Sequence, residues 1–387
     1  MASKVSIGDD LPSDENTWTV WAARYNVSGS TIHDATLTSA STISERQYLL
    51  LQVLWTSKAS RKLSLKQVEL ETWKREADKL LATFQSWASY RQSFASGPIL
   101  EGTFALAKKY QLQAAASREE SFQSNVAFSP ISNRTRTKMG RLEQKLREAQ
   151  LETPTKSTGK LPSEMRVEDT PETGNSPFPT PGPEEIAHLM YPQTKDEQIV
   201  NTALVDFLNA LSMHFPQASD WTLHRKSFKA EFQHASFEAR TDGYLEDGGS
   251  SERVRALIEV KPMIRRKKLN LIRMQEAAQM AAWIKSDPDP TGVLNLPGRR
   301  LHVSQDRHQI FITFAEYDAT YFQYLDNTLP PSSPRPFLKM HEFGPWNTEV
   351  RKDMESVGSI LLAIALRAYS DAHLSKSIID GQKSGRV

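Results

Sequence analysis

Nine of the chain's 21 prolines fall between Ser129 and Pro192, and that clustering constrains how everything else can fold. Segments such as DTPETGNSPFPTPGPEE supply neither the unbroken N–H series of a helix nor the paired donors of a central strand. The same stretch has few large apolar residues, so burial cannot offset the entropy of ordering it. Residues 115–190 are therefore expected to form a disordered linker, with one short basic helical island at RTRTKMGRLEQKLREAQLE. Its Ser-Pro and Thr-Pro pairs (Ser129, Thr153, Thr170, Ser176, Thr180) have the form of proline-directed phosphorylation sites, which is common in any linker of this composition. What can be globular lies on either side.

On the N-terminal side, residues 1–40 are polar and expected to be poorly ordered. From residue 41 to 114 the pattern is helical. In STISERQYLLLQVLW, Thr42 stands three residues before Glu45, the pattern of a capping box ahead of an apolar run. In SLKQVELETWKREADKLLATFQSWASY the apolar residues recur at steps of three and four, which predicts one amphipathic helix of several turns. This N-terminal helical region reads as a scaffold or a surface for a protein partner.

From Tyr191 the pattern is globular again, with a domain expected over 191–372 and a tail over 373–387. A helix, TKDEQIVNTALVDFLNALSMHF, precedes strand-like WTLHRKSFKAEF, ASFEARTDGYL and ERVRALIEVK. A helix LNLIRMQEAAQMAAWIK, a β-branched and aromatic run HQIFITFAEYDATYFQYL, and a last helix TEVRKDMESVGSILLAIALRAYS follow. Helix, three strands, helix and strand make an α/β core with a central sheet flanked by helices.

Several chemistries are excluded at this level. The chain has no cysteine, which removes disulfides, thiolate nucleophiles and cysteine-bound zinc. The nine histidines form no pair at metal-ligand spacing, TGKL lacks the other parts of a phosphate-binding loop, and there is no Gly-x-Ser-x-Gly elbow. A net charge of +2 means that attraction to nucleic acid must come from local patches. The N-terminus lacks the apolar core of a secretory signal, and ILLAIAL at Ile360–Leu366 is too short to span a bilayer. A protein of the nucleus or cytoplasm is expected, without a membrane.

The stretch RALIEVKPMIRRKK carries the chemistry. On a strand, Val254, Ala256, Ile258 and Val260 point one way and Arg255, Leu257, Glu259 and Lys261 the other. Pro262 stops the ladder just beyond the acid and the base. In FEARTDGYL, Asp242 ends the set Glu238, Arg240, Asp242, and the short Gly-rich loop EDGGSS allows the two strands to pair as antiparallel neighbours. Folding that hairpin brings Asp242 beside Glu259 and Lys261. Two carboxylates and a backbone carbonyl, that of Val260, are hard oxygen ligands suited to Mg2+ or Mn2+. A lysine beside such an ion stabilises developing negative charge or assists an attacking water.

These residues resemble the Asp-(spacer)-Glu-x-Lys signature of the PD-(D/E)XK nuclease superfamily, with Thr-Asp where the pattern has Pro-Asp. The stretches DEQIVNTALVDFL, QEAAQMAAWI and GPWNTEVRKDMESVGSILLAIALRA are similar to a nuclease-like domain of fungal proteins, over roughly residues 191–369. The resemblance implies a restriction-endonuclease-like core with a mixed sheet. It also implies that Asp242 and Glu259 hold metal and that Lys261 serves the attacking water. Glu197 would be an extra acid on the first helix. Gln279 would match the Gln-x-x-x-Tyr helix of exonuclease-like branches, with Trp283 in the aromatic's place and Gln275 one turn earlier.

Each residue also has a plainer reading. Glu-x-Lys alone is a common surface ion pair, and the one other instance, Glu143-Gln-Lys145, sits in a helical pattern where the two side chains diverge. Asp242-Gly243 reads as a turn, Glu197 as a capping-box partner of Thr194, and the two glutamines as the polar side of a helix. Arg265, Arg266, Lys267 and Lys268 read as a phosphate track together with Gln275, or as a solvated loop or import signal. The expected function is metal-dependent hydrolysis of nucleic acid, DNA ahead of RNA. The alternative is an inactive nucleic-acid-binding or protein-interaction module on the same fold.

Overall fold

A computed structural model describes residues 10–95, 97–116, 195–247 and 253–384. The expected linker lies outside them, apart from residues 115 and 116, which end a helix. Its basic island and Ser/Thr-Pro pairs lie outside as well. Helix α1 (Glu15–Arg24) is capped by the Asp14 side chain, which accepts from the Thr17 N–H at 2.9 Å. Trp18 and Trp21 on this helix are buried, so the polar composition of 1–40 misleads beyond Asp10, where two tryptophans anchor the segment.

Helix α2 (Glu45–Leu50) is capped by Ser44 rather than Thr42 and is short. Gln52 adopts φ 52° and turns the chain into strand β1 (Val53–Lys58). The run YLLLQVLW was expected to continue as helix, and burial of all these residues is what hides the change of period. Helices α3 (Glu71–Thr83) and α4 (Gln85–Gln92) replace the single helix expected here, because Phe84 between them is extended at φ −82°, ψ 106°. Helix α5 (Ala105–Ala116) closes this part.

The second part starts with α6 (Lys195–Ser212), followed by β2 (Trp221–Thr222), β3 (Ser227–Glu231), β4 (Ser236–Arg240), β5 (Gly243–Glu246) and β6 (Val254–Lys261). Then come α7 (Leu269–Ser286), β7 (Leu301–Asp306), β8 (Gln309–Glu316), α8 (Ala319–Leu325), β9 (Leu338–Asn347) and α9 (Arg351–Ser384). Helix α9 runs through the stretch expected as a tail from 373. Among the described residues no helix is long and apolar enough to cross a membrane.

Seven strands form one mixed sheet in the order β1-β9-β8-β7-β6-β5-β2, and β3 with β4 forms a separate antiparallel ribbon. The sheet is parallel at β1–β9 and β6–β7 and antiparallel elsewhere. Because β1 lies in this sheet, the expectation of an independent helical region over 41–114 is corrected. That segment and the C-terminal half share one compact unit. The sheet is covered on both faces. Ile258 and Val260 belong to a core with Leu204, Phe207 and Leu361, whereas Leu257 belongs to a second core with Met274 and Ala278. The alternation expected along β6 fails at Val254, which joins the core of Leu257, and at Arg255, which turns to Ser375 of α9. There the pairing steps from Leu245–Ala256 to Glu246–Val254, leaving Arg255 as an extra residue in a bulge.

Candidate active site

The strand expected to run through FEARTDGYL is broken at Thr241–Asp242, where the chain leaves the β3–β4 ribbon and enters the main sheet. Gly243 permits this. A Cβ there would collide with the Thr222 carbonyl oxygen and sit 3.2 Å from Ile258, so the glycine serves close approach of β2, β5 and β6 rather than a turn. Asp242 is fixed to β6 by both ends. Its N–H donates to the Ile258 carbonyl at 3.0 Å, and its Oδ2 accepts from the Val260 N–H at 3.1 Å. Asn201 of α6 donates to the Asp242 carbonyl at 3.3 Å. Val260 therefore enters the site through its N–H, as a donor to Asp242.

Glu259 is 2% exposed and lies on the α7 side of the sheet. Its Oε1 accepts from the Lys261 ammonium and, at 2.6 Å, from Gln275 Nε2. Its Oε2 accepts from Gln279 Nε2 at 2.6 Å, and the same amide donates to the Arg240 carbonyl at 2.7 Å. Four residues apart on α7, the two glutamines share a helix face, and together they fix the carboxylate. Gln275, expected on a phosphate track, is thus a ligand of Glu259. Trp283, one further turn along, is fully buried core.

The electrostatics follow from burial. Burial, reinforced by Asp242, pushes the Glu259 carboxyl up to about 8, against the opposing pull of Lys261 and Gln279. Burial also works against the Lys261 charge, but Glu259, Asp242 and Glu197 outweigh it and hold the ammonium above the ordinary lysine range. Glu197, half-buried on α6, acts on Lys261 through its charge; its expected capping partner Thr194 lies outside the described residues. Asp242 Oδ1 faces the Arg225 guanidinium at 3.5 Å. Arg225 belongs to no expected site, and its only sequence signal is the cationic pair Arg225-Lys226 ahead of β3.

The cation run after β6 is corrected at its first member. Arg265 is 2% exposed and cannot contact nucleic acid. It opens a 3-10 turn and points inward, where Nε donates to Asp306 and the two terminal nitrogens to Glu276 and Glu342. Phe311 stacks on its guanidinium, with 4.1 Å from Cζ to the ring centroid. Arg273 also donates to Glu342, at 2.7 Å. Three buried acids compensate the charge of this buried arginine, and nothing local in the sequence predicts them. Arg266 and Lys267 are exposed, and Lys268 is half-buried with its amine lowered by burial and by Lys261.

A divalent ion fits the donors present. Gln279 Oε1 is buried without a hydrogen-bond partner, and Glu259 Oε2 has one donor for its two lone pairs. Among the described residues no three His, Cys, Asp or Glu side chains converge as a complete ligand set. Asp242 and Glu259 would hold an ion that keeps several waters, as Mg2+ does. No protein-family model, no curated protein and no solved structure matches the chain.

Proposed function

We propose that the chain is a Mg2+- or Mn2+-dependent nuclease of the PD-(D/E)XK type, cleaving phosphodiester bonds with DNA as the first substrate to test. The observation that carries this reading is the convergence of Asp242, Glu259 and Lys261 at one end of the β5–β6 pair, with Gln275 and Gln279 clamping the buried acid. The order α6, antiparallel β2-β5-β6, α7 and parallel β7 supports it too, since it follows the helix, three strands, helix, strand plan. Asp242 and Glu259 would hold the ion, whose chemistry is Lewis-acid polarisation of the phosphodiester. Lys261, held in its charged form, is a donor and not a proton acceptor. Its role is to orient the attacking water and to stabilise negative charge developing on phosphate. Arg266 and Lys267 lie beyond it as cations for the flanking backbone.

One observation favours the second reading, a binding module without turnover. Lys261 on Glu259 and Arg225 on Asp242 compensate both acids with cations of the chain itself. Cleavage of end-labelled single-stranded DNA, duplex DNA and RNA with Mg2+ or Mn2+ separates the two. Cutting that is abolished by EDTA and reduced at least ~100-fold in Lys261→Ala supports the nuclease. Salt-sensitive binding without cutting on any substrate supports the module.

A further inference from the structure

Arg225 is built differently from the other cations around the site. Its backbone neighbourhood is fixed: the Thr241 N–H donates to the Lys226 carbonyl at 3.1 Å, the Lys226 N–H donates to Thr241 Oγ1 at 3.4 Å, and Ser227 pairs with Arg240. The arm itself is 64% exposed, while the Asp242 side chain it reaches is 11% exposed. A guanidinium at 3.5 Å and largely in water holds its acid weakly. The root is therefore anchored within reach of Asp242, and the head is free to leave it. A divalent ion bound at Asp242 would face that head as a competitor for Oδ1 and as a like charge.

Resting on the nuclease reading, we propose that Arg225 is an exchangeable counter-charge. Without substrate it neutralises Asp242 and opposes cation binding. With a phosphodiester in the site it moves to the phosphate anion, for which its planar fork is matched, and leaves Asp242 to the metal. Metal and nucleic acid then bind with positive coupling through one side chain, and the coupling is reciprocal. Lys261 cannot take this part, because it is clamped to a buried acid and only 19% exposed.

The test is Mn2+ titration by electron paramagnetic resonance on the full chain, with and without a short phosphorothioate DNA duplex. Wild type, Arg225→Ala and Asp242→Asn are compared. Without DNA, Arg225→Ala is expected to bind Mn2+ about tenfold more tightly, the effect of removing a unit charge roughly 5 Å from a divalent ion under water-like screening. Adding duplex should tighten Mn2+ binding by about tenfold more in wild type than in Arg225→Ala. The salt slope of duplex binding should fall by about one in the variant. If Asp242→Asn loses Mn2+ while Arg225→Ala titrates and responds to duplex as wild type does, the exchange is overturned and the metal site stands. A duplex salt slope unchanged in Arg225→Ala removes the phosphate contact and overturns the exchange as well. If Asp242→Asn binds Mn2+ as wild type does, both the exchange and the metal site fail.

Discussion

Replacing Arg265 by alanine isolates the energetics of the buried ionic cluster. The guanidinium serves three carboxylates, and their fates in the variant differ. Glu342 keeps Arg273 at 2.7 Å and Ser57 at 2.6 Å, and Glu276 keeps Ser304 at 2.7 Å. Asp306 keeps no side-chain donor, and its Oδ1 already has no partner. Breaking a buried pair from one side costs about 3–5 kcal/mol. Burial already pushes the Asp306 carboxyl up, so without the arginine it takes a proton instead of staying charged, and the cost falls near the lower end of that range. Asp306→Asn should cost less, about 1–3 kcal/mol, because Arg265 retains two acids. The double variant should be less damaging than the two costs added, by about 1–3 kcal/mol, since it removes both halves of the same contact. Urea unfolding followed by tryptophan fluorescence gives all four corners of the cycle. A loss below about 1 kcal/mol in Arg265→Ala, or strict additivity in the double variant, refutes the reasoning.

Glu342 supplies a pH dependence with a definite sign. Burial raises its carboxyl, but Arg265, Arg273 and Ser57 outweigh that and hold it down at about 2, against a usual 4.5. A depressed carboxyl stabilises the fold above its unfolded value and loses that stabilisation as pH falls through its folded value. Glu342→Gln should therefore cost about 3 kcal/mol at pH 7, and about half of that difference from wild type should vanish between about pH 5 and pH 3. Unfolding free energies of both proteins across that range check it, and a pH-independent difference contradicts it. Gly243→Ala places a Cβ against the Thr222 carbonyl oxygen and Ile258. It should destabilise by about 1–3 kcal/mol, the cost of overpacking at a close approach of packed strands. A thermal melt indistinguishable from wild type would refute the close approach.

Sequence periodicity makes part of this legible. Period two puts Glu259 and Lys261 on one face, and a short loop makes Asp242 their neighbour across a hairpin. The helices α6, α7 and α9 are long apolar runs whose existence does not depend on where their polar residues point. What escapes is whatever depends on distant partners. The acids that bury Arg265 lie 11, 41 and 77 residues away, so a run of four cations reads as surface although its first member is core. Strand β7, LHVSQD, has no apolar pattern to find. All six of its residues are buried, and Ser304 and Asp306 are tolerated only because Glu276 and Arg265 pair with them. The same dependence hides β1, whose apolar residues continue a helical run and become a strand only when β9 is there to pair with them.

The ionic cluster and the candidate site share one frame. In the parallel pair β6–β7, Glu259 stands opposite Ser304 and Lys261 opposite Asp306. All four side chains lie on the face toward α7, but they divide between two networks. Glu259 turns to Gln275 and Gln279, while Ser304 joins Glu276 and Asp306 joins Arg265. Helix α7 thus carries both networks, with Arg273 and Glu276 in one and the two glutamines in the other. Arg265 ties the turn that follows Lys261 to α7, β7 and β9 at once. That tie fixes the separation between the end of β6 and the helix whose amides hold Glu259. On the proposed metal-binding reading, a carboxylate that holds a cation needs its rotamer set before the ion arrives, by groups whose own positions are already locked. The buried cluster provides that locking, which is why the cation run begins with a residue that never meets solvent.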